Sequence, residues 1–308
     1  MKKLAAALLF GLAAMASHAT DSFVDASGTD ISMWPGLTYQ RASGQELKLD
    51  LYLPFDRVKH PVPLVVYLHG GGWVSGAREV ANLRLMPFLQ MGWAAANVEY
   101  RMGPTAPAPA AVEDVRCALA YLGRRAEELH IDPRRIVLAG GSAGGHLALI
   151  AGMLPAGNRF DRGCPADESQ RWTRGAVAVP KVAAIVNWFG ISDVADLLHG
   201  SHEKPYAVEW FGSMPDAERE ALAHEISPID NVRADTPPVI SFHGEADATV
   251  PVEQSIRLHE ALTRAGVPNE LLLIPGAGHG FNREQMIRSI EAMRAFLEKQ
   301  GLKGSLER

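Results

Sequence analysis

Gly140-Gly141-Ser142-Ala143-Gly144 stands between a strand signal and a helix signal, and its reading decides the fold. Upstream, Arg135-Ile136-Val137-Leu138-Ala139 is a short run rich in β-branched and apolar residues, following the turn Asp132-Pro133. Downstream, His146-Leu147-Ala148-Leu149-Ile150 opens a helix-forming run. A serine placed at such a junction occupies a sharp, strained turn, and its small neighbours let chain and ligand approach closely. Its hydroxyl then stands above the sheet, and the helix N-terminus behind it favours developing negative charge.

Three further stretches each follow a strand signal. His69-Gly70-Gly71-Gly72-Trp73 comes after Leu64-Val65-Val66-Tyr67-Leu68. Its glycines leave backbone N–H groups open, as acyl-transfer chemistry requires of its oxyanion donors. No Gly-Lys-Ser/Thr follows, which argues against a phosphate-cradling loop. Val239-Ile240-Ser241-Phe242-His243 delivers Gly244-Glu245-Ala246-Asp247, an acid beyond a strand. Leu271-Leu272-Leu273-Ile274 leads into Pro275-Gly276-Ala277-Gly278-His279-Gly280-Phe281, a histidine in a glycine-rich loop. The order Ser, Asp, His is the one expected of α/β-hydrolases, and it differs from the orders of chymotrypsin-like and subtilisin-like proteases.

From Leu47 to Phe296 the chain resembles the α/β-hydrolase superfamily, in particular the HGGGW carboxylesterases related to hormone-sensitive lipase and to bacterial feruloyl and acetyl-xylan esterases. Glu99-Tyr100-Arg101, Trp188-Phe189-Gly190-Ile191-Ser192-Asp193 and Ser227-Pro228 belong to the same resemblance. One departure is Gly141, where relatives of hormone-sensitive lipase usually carry Asp before the nucleophile. With Gly145-His146 it turns the resemblance toward the xylan and feruloyl esterases and away from long-chain lipases.

The pattern and the resemblance together assign Ser142 as nucleophile, His279 as general base and then acid, and Asp247 as the residue that fixes the imidazole tautomer. Gly71 and Gly72, by the resemblance, and Ala143 would supply the oxyanion N–H groups. Glu245 is a rival acid, and the family spacing favours Asp247; Asp193 is a second rival that reads better as a helix cap. Trp73 is expected in the substrate pocket wall, because the glycine loop exposes its neighbours. His69, His146 and His243 read as structural hydrogen-bonding residues, since none follows the last strand.

The fold expected is a mostly parallel sheet with helices on both faces, because short apolar runs alternate with helical stripes. Strand runs fall at 64–68, 93–98, 136–139, 182–189, 239–242 and 271–274, and Leu47, Leu49, Leu51 and Leu53 give a half-buried strand. Val112, Val115, Leu119 and Leu122 form a helical stripe introduced by Pro109. Residues 256–262 and 286–297 repeat that pattern. Residues 155–180 read as a long loop, and residues 193–238 as a small helical lid inserted at the active-site mouth.

Lys2-Lys3, the apolar residues 4–16 and Ser17-His18-Ala19 read as a secretory signal peptide over residues 1–19, with a cut after Ala16 as the other option. The mature chain, residues 20–308, is then expected as one α/β-hydrolase domain in the periplasm or medium, without the N-terminal cap of the lipase relatives and without a membrane anchor. A net charge of −5 with intermixed signs gives no basic stripe, which excludes nucleic acid as a partner. The 11 histidines show no metal-ligand spacing; His199, His202 and Glu203 read as a solvated lid segment, and neither metal nor cofactor is expected. The 2 cysteines, Cys117 and Cys164, are expected to pair. On a helical wheel Cys117 lies opposite the apolar stripe, and an exposed thiol would be a liability after export.

Three function classes follow. The first is a serine hydrolase of short-acyl or aryl esters, small or carbohydrate-linked, acting through an acyl-enzyme. The second is an amide hydrolase of the same architecture, aryl-formamidase-like or peptidase-like. The third is a non-catalytic binding module, against which an intact triad and glycine loop argue.

Overall fold

The computed structural model describes residues 21–24, 30–54, 60–165 and 178–304. The expected signal peptide, residues 1–19, lies outside the described residues. The strands are β1 (Asp21–Val24), β2 (Asp30–Ala42), β3 (Gln45–Pro54), β4 (Val62–Leu68), β5 (Ala94–Val98), β6 (Ile131–Gly141), β7 (Val182–Trp188), β8 (Val239–Gly244) and β9 (Asn269–Ile274). The helices are α1 (Asn82–Leu89), α2 (Ala110–Arg124), α3 (Ala143–Met153), α4 (Pro205–Phe211), α5 (Asp216–Glu225), α6 (Glu253–Arg264) and α7 (Arg283–Lys299).

Among the described residues the strands form one 9-stranded sheet in the order β1-β2-β3-β5-β4-β6-β7-β8-β9. From β5 through β9 neighbouring strands run parallel, and β1, β2 and β3 add antiparallel pairs at one edge. All residues of β4 and β5 are buried, as strands covered on both faces should be. Alternate residues feed two cores. Leu64, Val66 and Leu68 belong to the core shared by α2, α3 and α6, whereas Val65 and Tyr67 belong to the one shared by α1 and α7. This is the α/β-hydrolase architecture expected from the sequence, with parallel strands and helices on both faces.

Several details differ from the sequence reading. β3 is half-buried only at its start; Asp50 and Tyr52, on the opposite face from the leucines, are buried too. β2 was not legible, because Pro35-Gly36 interrupts its alternation. Its register slips between Trp34 and Leu37, and the Gly36 N–H there donates to Asp50 Oδ1 at 2.8 Å. Asp132-Pro133, read as a turn before the strand, lies within β6, whose pairing with β4 jumps from Val62↔Ile131 to Leu64↔Ile136.

Residues 193–238 lie between β7 and β8 and contain α4 and α5 together with short 3₁₀ turns, so the expected insertion is helical. Among the described residues no helix is long and apolar enough to cross a membrane. Cys117 and Cys164 are joined by a disulfide. The reasoning that led to that pair needs correcting. Cys117 is only 1% exposed, because the outer side of α2 is covered by residues 154–164, which Arg116 holds by bonds to Asp161, Leu154 O and Pro155 O. The bridge closes a separation of 47 residues and ties α2 to the segment that follows α3. Replacing both cysteines by alanine should lower unfolding stability by about 2–4 kcal/mol through the longer unconstrained chain. Urea midpoints of the variant and of oxidised and reduced wild type check this; no difference between them would remove the bridge from the list of stabilising features.

Candidate active site

The turn at Ser142 is set by backbone. Its φ of 57° and ψ of −126° lie where a residue with a side chain is strained. Its N–H donates to Trp188 O at 2.9 Å, and its carbonyl accepts from His146 N at 3.0 Å. Helix α3 behind it is buried almost all round, so its N-terminus cannot swing away from the sheet. Gly144 makes the close approach feasible: a Cβ there would lie 2.1 Å from Leu68 O.

Beyond β9, His279 lies between the acid and the serine. Its Nδ1 is 2.7 Å from Asp247 Oδ2 and its Nε2 is 2.9 Å from Ser142 Oγ. With Nδ1–H donated to the carboxylate, Nε2 is free to accept the serine proton. Asp247 sits in a tight turn after β8, and its Oδ1 accepts from the N–H groups of Thr249 (2.8 Å) and Val250 (2.9 Å). Burial opposes ionisation of this carboxyl, yet hydrogen bonds from His243, His279 and the Val250 N–H outweigh it and hold the group well below the usual carboxylate range. Glu245 is exposed, and Asp193 accepts from Asp196 N and Arg257, as a capping residue does.

Ser142 and His279 open into a cavity of about 400 Å³ that Gly71, Gly72, Tyr67, Phe189 and Tyr206 also line. Gly71, at φ 128°, is the residue its loop requires, since a Cβ would fall 1.9 Å from Ser75 O. Ala143 is the first residue of α3, where helix N–H groups have no intrahelical acceptor. Gly71 and Gly72 thus share the cavity lining with Ser142, and Ala143 follows it in the chain. Phe189, at φ 41°, packs its ring 4.7 Å from the His279 ring and 5.3 Å from Phe281.

Trp73 corrects the expectation of a pocket wall. It has 0% exposure, stacks on Trp210 of α4 at 4.3 Å, and is absent from the cavity lining. The glycine loop turns it inward, at φ 61°, so that it clamps the insertion onto the core. Tyr206, one turn before Trp210, instead reaches the cavity, and its hydroxyl donates to Thr249 O at 3.1 Å. Nothing local in the sequence distinguished these two aromatics; both depend on how α4 lies. Tyr67, Val80 and Arg84, also in the lining, were not singled out either.

The three other histidines are hydrogen-bonded as expected. His69 Nδ1 donates to Gly70 O at 2.7 Å, its ring stacks on Tyr100 at 4.3 Å, and burial lowers its pKa. His243 Nε2 donates to Val250 O at 3.0 Å and lies 3.4 Å from Asp247 Oδ2, while Nδ1 accepts from Ser255 Oγ at 2.7 Å. His146 accepts from Trp73 Nε1 at 3.1 Å and donates to Ile226 O at 2.9 Å. It thus joins the glycine loop, the nucleophile helix and the end of α5. His199 and His202, in the insertion, pair with Glu220 and Asp196.

The sequence pattern of the BD-FAE family matches residues 49–262. Esterase LipC of Mycobacterium tuberculosis is 29% identical over 246 residues, covering 76% of this chain and 57% of its own. The chain thus spans little more than half of that relative's length. A truncated carbohydrate esterase from gut microbiota superposes with a TM-score of 0.70 at 27% identity, covering 88% of this chain and 96% of its own. An esterase of Thermogutta terrifontis, also known in a form phosphorylated by paraoxon, gives 0.69 at 29% identity, with 86% and 92% coverage.

Burial pushes the pKa of His146 down to about 4, from 6.5. The unfolded chain therefore binds a proton that the folded chain refuses, and stability falls as pH drops through 6.5 and keeps falling to about 4. This histidine alone contributes up to about 3 kcal/mol of that loss. Thermal melts between pH 7 and 4 check it: His146→Gln should flatten the acid limb, and an unchanged slope would show that His146 does not carry it.

Proposed function

Since the chain belongs to the BD-FAE family, we propose that this cavity is the active site of a serine carboxylic-ester hydrolase. The observation that carries the reading is the line of contacts from Asp247 through His279 to Ser142, at 2.7 and 2.9 Å, opening into a cavity. In this reading Ser142 Oγ attacks the ester carbonyl as His279 Nε2 takes its proton. Charge on the carbonyl oxygen develops against the N–H groups of Gly71, Gly72 and Ala143. His279 returns the proton to the departing alcohol, and water repeats the sequence on the acyl-serine. The form of the Thermogutta esterase phosphorylated by paraoxon supports a reactive nucleophile in this architecture. Asp247 fixes the tautomer throughout, and His243 steadies Asp247 from behind.

We assign short-acyl or aryl esters, acetylated or feruloylated carbohydrate among them, as substrates. A cavity of about 400 Å³ suits a small acyl group, and the gut carbohydrate esterase supports a sugar ester. Export fits the disulfide, which persists in oxidising compartments.

Turnover of p-nitrophenyl esters of graded acyl length, with matched anilides, tests the assignment. The value of kcat/KM should fall from acetyl or butyryl toward palmitoyl esters, and Ser142→Ala should lose about 10⁴-fold or more in kcat. Faster palmitoyl or anilide turnover would reverse it. Asp247→Asn should approach the loss on removing His279, roughly 10⁴-fold, whereas Glu245→Gln costs little. A larger loss from Glu245→Gln would transfer the role of the acid to that residue.

A further inference from the structure

Resting on the esterase reading above, this inference concerns which esters the same cavity takes. Among the described residues that line it, Arg84 is the one permanent charge, and Asp247 is sealed away behind His279. The arginines buried beneath the fold are paired: Arg101 with Asp114 and Arg116 with Asp161, and Arg78 is held by Asp50 and Glu99. Arg84 has no carboxylate within ion-pair distance among the described residues; its contact is Nη1 to Met286 Sδ at 3.0 Å, a weak acceptor. In a chain with a net charge of −5, an exposed arginine in the cavity lining without a carboxylate partner among the described residues is available to an anion.

A second polar group points the same way. Tyr67, at the end of β4, lines the cavity, and its hydroxyl makes no hydrogen bond to another described residue. Burial pushes this phenol up to about 12, which keeps it a donor, and the Arg84 charge lies close enough to act on it in the opposite sense. Val80 and Ala81, both apolar, share the lining with them. Val80 is 76% exposed there. A hydrophobic wall ending in a guanidinium and a phenol hydroxyl suits an amphiphilic anion better than a neutral acyl chain.

We infer that the cavity takes esters bearing a carboxylate, with the anion held by the Arg84 guanidinium and the Tyr67 hydroxyl and the connecting carbons against Val80. The carboxylate can sit on either side of the scissile bond, and two substrate pairs distinguish these sources. 4-Acetoxybenzoate against 4-acetoxybenzamide places it on the alcohol. The mono-4-nitrophenyl ester of terephthalate against its carboxamide places it on the acyl group. In wild type, kcat/KM should favour the anion over its amide by about 10- to 100-fold in one of the pairs, as expected for a charge-assisted contact. Arg84→Gln should bring that ratio to near one, Tyr67→Phe should lower it less, and rising salt should shrink it in wild type.

A ratio near one in both wild-type pairs overturns the inference, as does a ratio that survives in Arg84→Gln. Calorimetry on Ser142→Ala, with 4-hydroxybenzoate against 4-hydroxybenzamide for the alcohol side and terephthalate against 4-carbamoylbenzoate for the acyl side, reads the receptor without turnover. Loss of p-nitrophenyl acetate turnover in wild type would sink the esterase reading alone, and the anion preference would still be decided by that binding.

Discussion

The candidate site depends on a steric constraint, the depth to which helix α3 sinks between the ends of β4 and β7. Gly144 lies where a Cβ would meet both Leu68 O and His69 O, and Gly145 where it would meet Asn187 Oδ1. That depth forces the reversal at Ser142 into a backbone region that residues with side chains avoid, and packing around α3 keeps it there. Strain at the serine and glycine beside it are therefore one fact seen from two sides. The same approach brings the glycine loop after β4 against the elbow, since a Cβ on Gly70 would sit 3.4 Å from Ser142 Cβ.

Electrostatics then sorts six histidines into distinct roles. His146 and His259 are buried, and desolvation keeps both neutral, with pKa values pushed down to about 4. His279 faces the cavity between a carboxylate and a hydroxyl, and His243 stands behind that carboxylate. His199 and His202 meet carboxylates on the surface of the insertion. The residue type carries no information about these roles; position after a strand, and depth, decide them.

Residues that follow a strand in a short glycine-rich loop were legible in the sequence, because their place is fixed within a few residues of an element that periodicity reveals. Ser142, Asp247 and His279 are of this kind, as are Gly71 and Gly72. What was not legible depends on docking between distant segments. Trp73 looks like a wall residue until Trp210, 137 positions on by residue number, is seen to stack on it. Cys117 looks exposed on a helical wheel until residues 154–164 are laid over α2. β2 escaped notice because its bulge at Pro35-Gly36 breaks the period of two on which strand reading relies.

The insertion between β7 and β8 contributes Tyr206 to the cavity, while the serine, acid and histidine all come from the ends of other strands. The wall is thus modular with respect to the reacting groups, and residues 193–238 form a natural cassette for exchange between homologous scaffolds. Its seat is built from several contacts, Arg257 on Asp193 and Asp196 and Arg159 on Glu225 among them, and two lie nearest the site. A flat aromatic must arrive where Trp210 meets Trp73, and a backbone carbonyl where Ile226 O receives His146 Nε2–H. A transplant that meets these contacts changes the cavity's shape through the residue at the position of Tyr206, which itself leans on Thr249 O and on Gly72 of the glycine loop.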